Sequence, residues 1–146
     1  MSGDDRELAR DRRLVALRWR AMGVEDLRVA RLCLDALEPS PVASAYHCQQ
    51  AAEKLLKGLL VLADVPFTKT HDLERLGTLA TPRYPRHEAL FSATYLFTSW
   101  AFDFRYPGPD AEMPDDPGET ELREAMAVID QLVACLREHI PPEPEA

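Results

Sequence analysis

The chain has 146 residues, of which 46% are apolar and 29% charged, and a formal net charge of −8. That length and balance suit one globular domain with a core of its own. No run approaches the roughly 20 apolar residues of a membrane span, and the opening MSGDDRELARDRR has no apolar core of the kind a secretory leader carries, so no membrane partner and a cytoplasmic location are expected.

Five helices and no strands are expected. The first runs from near Asp5 to Leu37, with an apolar stripe of Trp19, Met22, Leu27, Ala30, Leu34 and Leu37, and Gly23 as a point where it bends or breaks. Pro39 and Pro41 end it. The second runs from about Val42 to Ala63 and is closed off by Pro66. A short third helix, with Thr70 as N-cap and Asp72 in its first turn, ends near Leu79. The fourth, about Arg86 to Phe104, is apolar nearly all round, which fits either a subunit interface or a central core helix. Residues 105–118 carry four prolines and form a loop. The fifth runs from about Glu119 to His139, with Leu122, Met126, Ile129, Val133, Leu136 and Ile140 at heptad-like spacing. The expected architecture is all-α, an up-and-down bundle of four to five helices in one domain, residues 1–140, followed by a disordered acidic tail, 141–146.

Charge is unevenly spread. Residues 110–146 hold eleven acids against two arginines, while six arginines lie between Arg6 and Arg20. This argues against broad nucleic-acid binding, which needs a basic surface, and suits contacts between a basic first helix and an acidic segment of another subunit. Cys33, Cys48 and Cys135 lie inside helical patterns without a C-x-x-C pair, so reduced thiols are expected. No cluster has metal-ligand spacing and there is no phosphate-binding glycine loop, so neither a metal nor a cofactor is expected. His87 and His139 read as exposed and silent.

The most informative segment is YHCQQAAEKLLKGLLVLADVPFTKTHDL, residues 46–73. His47, Gln50, Lys54 and Lys57 fall at i, i+3, i+7 and i+10, which puts them on one helix edge, flanked by Gln49 and Glu53. Ala45, Cys48, Ala52, Leu55, Leu59 and Leu62 form the opposite, apolar side. Spacing alone leaves two readings open: a solvated face, or a polar groove for a phosphate, a nucleotide or a partner.

The chain resembles the HEPN family of small helical domains. Trp19 with Val24-Glu25-Asp26-Leu27, then Tyr46-His47 with Gln49-Gln50-Ala51-Ala52-Glu53-Lys54 and Lys57, then Thr70-His71-Asp72-Leu73, and finally Asp103 with Arg105-Tyr106-Pro107-Gly108 carry the resemblance, over about residues 14–138. It implies a helical bundle, commonly a homodimer, often encoded beside a small nucleotidyltransferase as a toxin–antitoxin or stress module. Many members are metal-independent RNases with an Arg-x(4–6)-His motif, in which Arg stabilises phosphate charge and His is acid or base. This chain departs from that motif: where a His is expected after Arg105 stand Asp110, Ala111 and Glu112, and Arg83 and His87 are one residue too close.

No catalytic residue is therefore assigned. His47, Gln50, Glu53, Lys54, Lys57, His71, Asp72, Arg105 and Tyr106 are the candidate ligand-binding residues. Arg105 reads either as an ion-pair partner of Asp103 or Glu53, or as a phosphate ligand. The leading expectation is a dimeric module that binds a nucleotide, another phosphate-bearing ligand or a nucleotidyltransferase partner. The alternatives are an RNA-cleaving toxin with an atypical site around Arg105 and His71, and a non-catalytic oligomerisation scaffold.

Overall fold

A computed structural model describes residues 1–101, 103, 107–110, 112 and 115–143. Its elements are α1 (Gly3–Asp35), α2 (Pro41–Leu62), α3 (Leu73–Ala80), a 3₁₀ turn (Pro85–His87), α4 (Glu88–Ser92), a 3₁₀ segment (Tyr95–Ala101) and α5 (Glu119–His139). The fold is all-α, with no strand among the described residues.

The helix ends follow local chemistry. Ser2 and Asp5 form a capping box at the start of α1, with Asp5 N–H donating to Ser2 Oγ and Ser2 N–H to Asp5 Oδ2, both at 3.1 Å. Ser40 N–H donates to Cys33 O at 2.8 Å across the turn, and Pro41 occupies the first position of α2. After α2, Asp64 takes a left-handed φ of 55°, a conformation a short polar side chain tolerates, and Val65 N–H returns to Leu60 O at 2.9 Å. The cap of α3 is Asp72 rather than Thr70: Asp72 Oδ1 accepts from Arg75 N–H, while Thr70 Oγ1 accepts from Asp72 N–H and shapes the approach.

Two expectations about backbone continuity change. Gly23 does not break α1, which runs unbroken from Gly3 to Asp35. The glycine is buried, and a Cβ built on it would stand 2.8 Å from Leu55 Cγ, so it lets α1 and α2 come close. The expected fourth helix is not continuous. Thr94 is fully buried and donates its hydroxyl to Phe91 O at 2.7 Å, a side-chain bond that competes with the helical ladder. Breaking the helix there lets Phe91, Phe97 and Trp100 all turn into the chain's own core, where a straight helix would leave one side outside. Among the described residues of this stretch, Leu96 is the large apolar side chain left exposed.

α2 is the central element. It packs against α1 along most of its length and also against α3, the 3₁₀ segment and α5. Leu55, Leu56, Leu59 and Leu60 are fully buried, and so is Ser44, which donates to Ala30 O at 2.9 Å. Tyr84 closes the far end by donating its hydroxyl to Leu59 O at 2.7 Å. No described helix is long and apolar enough to cross a membrane. The three cysteines are free, Cys48 and Cys135 buried and Cys33 partly so.

Candidate functional site

Because α2 is enclosed on most sides, its polar edge is not a solvated face. Gln49 is fully buried and Glu53 is 3% exposed. Each has a partner, as buried polar groups must. Asp26, projecting from α1, accepts from two side chains at the start and middle of the edge: His47 Nδ1 donates to Oδ1 at 2.9 Å and Lys54 Nζ to Oδ2. Glu53 Oε1 accepts from His71 Nδ1 at 2.7 Å and lies 3.5 Å from Lys57 Nζ. Gln50 Nε2 donates to Gln49 Oε1 at 2.7 Å, and Gln49 Nε2 donates to His71 O at 3.2 Å. Lys57 Nζ also faces the rings of Trp19 and Phe67, 5.7 and 5.9 Å from their centroids. The structure thus places six of the nine candidate residues in a network of two parts: Asp26 of α1 holds His47 and Lys54 of α2, while Glu53 holds Lys57 and His71, and Gln49 links Gln50 to the His71 carbonyl, which ties α2 to the segment before α3. Asp72 is spent on the α3 cap. Arg105 and Tyr106 lie outside the described residues.

The network draws on Asp26, on residues 47–57 of α2 and on His71, and it lies in the first half of a longer match. Comparison with protein-family profiles matches the HEPN domain over residues 16–139. The chain belongs to the HEPN domain family. No curated protein and no solved structure matches it.

In this HEPN chain two clefts lie next to the network rather than inside it. His47 and Tyr46, whose rings meet edge to face at 5.2 Å, line a cleft of about 320 Å³ with Ser40, Val42 and Ala43. A larger groove, about 480 Å³, runs between α1 and α5. Four arginines line it, Arg20, Arg28, Arg31 and Arg137, against two acids, Asp35 and Asp130, over a floor that includes Leu27 and Val133. Arg28 is paired with Glu25, and Arg31 with Asp130. Among the described residues Arg20 and Arg137 have no carboxylate partner, and Arg20 Nε is enclosed without any hydrogen bond. A cationic groove on a chain of net charge −8 stands out from its surroundings.

Sequence reading missed this groove. A signal was present: Arg20, Val24, Leu27 and Arg31 fall at i, i+4, i+7 and i+11 on one face of α1. It was hidden because Arg137 completes the wall from the other end of the chain. His87 and His139 also depart from expectation. Both are half-buried, and their Nε2 atoms lie 3.1 Å apart. Burial first, then the neighbouring charges of Arg86 and His139, lowers the His87 pKa from its ordinary value.

Proposed function

We propose that this HEPN-domain chain is a non-catalytic binding module that takes a nucleotide in the arginine-lined groove between α1 and α5. One observation carries the reading: Arg20 and Arg137 line this groove without a carboxylate partner among the described residues, which leaves their guanidinium groups for an anionic ligand. The apolar floor gives a base or sugar somewhere to lie, and the arginines suit phosphate oxygens. The groove is preferred to the α2 edge because Lys54 and Lys57 already carry carboxylates there. The acids at positions 110 and 112, where the RNase motif needs a His, support a role without RNA cleavage. We further propose that the module acts as a homodimer beside a small nucleotidyltransferase, the partner its family resemblance points to.

Isothermal titration with ATP, AMP and adenosine tests the ligand. ATP is expected to bind better than AMP, and adenosine not measurably. Arg20→Ala and Arg137→Ala are each expected to weaken ATP binding by about tenfold or more, on the scale of one charge-assisted contact, with the melting temperature little changed. Equal binding of adenosine and ATP, or cleavage of RNA by the purified chain, would overturn the reading. Co-expression with an adjoining nucleotidyltransferase frame tests the partner: a stable complex is expected, and separate elution removes that part.

A further inference from the structure

Away from the groove, the end of α5 meets the 3₁₀ turn Pro85–His87. Cys135 and His139 stand one helical turn apart on α5, and His87 reaches them from the turn. One ligand-type atom from each, two imidazole nitrogens and Cys135 Sγ, lies within 4.8 Å of the others. The two imidazoles face each other through Nε2 at 3.1 Å. Two imidazole nitrogens bound tetrahedrally to one zinc ion, at about 2.0–2.1 Å each, stand roughly 3.3 Å apart. The pair is therefore already spaced as two ligands of one metal. Cys135 is 3% exposed, and Tyr84 packs its ring against His139 at 4.7 Å between centroids, so one side of the cluster is dry and fixed. The other side opens into a cleft of about 280 Å³ lined by His87, Leu90, Gln131, Ala134, Cys135 and Glu138.

We propose that His87, Cys135 and His139 form a zinc-class metal site that clamps the 3₁₀ turn to the end of α5. Two neutral imidazoles and a thiolate are a donor set that a borderline-soft divalent ion prefers over magnesium or calcium. Binding forms bonds to His87 Nε2, His139 Nε2 and Cys135 Sγ. The thiol proton leaves to solvent, and the proton shared between the two Nε2 atoms moves to an Nδ1 position. The fourth position faces the cleft, where a water or the Glu138 carboxylate completes a tetrahedron. Arg86 is the local competitor: its Nε donates to His87 Nε2 at 3.2 Å, and its guanidinium is paired with Glu138. Metal binding displaces the first contact, and the second keeps the guanidinium charge compensated.

The test uses the full chain, stripped with chelator, dialysed and titrated with Co²⁺. One equivalent is expected to give tetrahedral visible bands and a near-ultraviolet thiolate-to-cobalt band, both bleached by Zn²⁺. The thiolate band is expected to vanish in Cys135→Ser and persist in Cys33→Ser. Because Cys135 is buried, His87→Ala and His139→Gln supply variants at half-buried positions. Each is expected to weaken Zn²⁺ binding by more than about 100-fold, since even outer-shell partners account for 10–100-fold, while keeping the helical circular-dichroism spectrum. A folded wild-type chain without the thiolate band, or a band that survives Cys135→Ser, overturns the site and leaves a plain hydrogen-bonded histidine pair.

Discussion

Glu53, 3% exposed in the middle of α2, accepts a hydrogen bond from His71 Nδ1 at 2.7 Å, and His71 is itself largely at the surface. The two ends of this contact are therefore unequal. Removing Glu53 takes away the carboxylate that Lys57 faces from an 11% exposed position, which leaves a poorly solvated cation without its counter-charge. Glu53→Ala is expected to cost about 3 kcal/mol, the scale of breaking one partner out of a buried pair. His71→Ala removes a group that water already reaches and is expected to cost less than half as much. Urea denaturation of the two variants measures both. Equal losses would show that Glu53 matters only through His71, and the view of a buried network would fail.

Gly23→Ala sets two effects of opposite sign against each other. In an exposed helix the change favours folding by about 1 kcal/mol. Here the new methyl would meet Leu55 Cγ at 2.8 Å, Leu55 Cδ2 at 2.9 Å and Ala51 O at 3.3 Å, the first a branch point of a fully buried side chain and the last fixed backbone. Overpacking of this kind costs about 1–3 kcal/mol. A net loss and a melting temperature lowered by a few degrees are expected, measured by thermal denaturation. A rise would mean that α1 shifts away from α2 at little cost.

The parts of this fold that were legible in the sequence are those set by neighbours along the chain. Glu119 and His139 bound α5 as expected, and α1 and α2 start and stop within two residues of their expected ends, because Pro39, Pro41 and Pro66 act locally. The breaks at residues 88–101 were not legible: an all-round apolar run has no periodicity to read, and the hydroxyl of Thr94 decides the outcome. The α2 edge was legible as a spacing but not as a buried network. Its burial depends on Asp26, 21 residues from His47, and on His71, 18 residues from Glu53. The groove and the histidine pair depend on still longer separations, 52 residues between His87 and His139.

The three thiols are expected to differ sharply in reactivity. Burial raises Cys48 from 9.0 to about 12 and Cys135 from 9.0 to about 11, whereas Cys33 is partly accessible. In the metal-free chain at pH 8, a disulfide-exchange reagent is expected to titrate Cys33 alone, and all three thiols only after denaturation. The same shifts set an alkaline limit. The folded pKa of Cys48 is raised, so its contribution to stability is fully present below pH 9.0 and is lost as pH rises to about 12. Tyr84 adds a loss between 10.0 and about 12. Melting temperatures from pH 8 upward are expected to fall, and less steeply in Cys48→Ala. An identical slope in that variant would assign the alkaline loss elsewhere.

Asp26 and Asp130 each accept from a cation on another helix, yet their surroundings differ. The Asp26 side chain is 12% exposed and serves both His47 and Lys54, whereas Asp130 and its partner Arg31 are 56% and 42% exposed. An exposed pair contributes about 0–1 kcal/mol, because water screens it and two long side chains lose freedom to form it. Removing a buried acid leaves its cation, here Lys54, without a counter-charge and its second donor, His47, without an acceptor. Asp26→Asn is expected to cost about 2–4 kcal/mol, and Asp130→Asn less than about 1. Salt separates them further: at about 1 M the screening length falls to about 3 Å, so the small Asp130 contribution is expected to vanish while most of that from Asp26 remains. Urea unfolding of both variants at low and high salt measures the contrast. A salt-sensitive Asp26→Asn loss would place water inside the network and make the α2 edge accessible to a ligand after all.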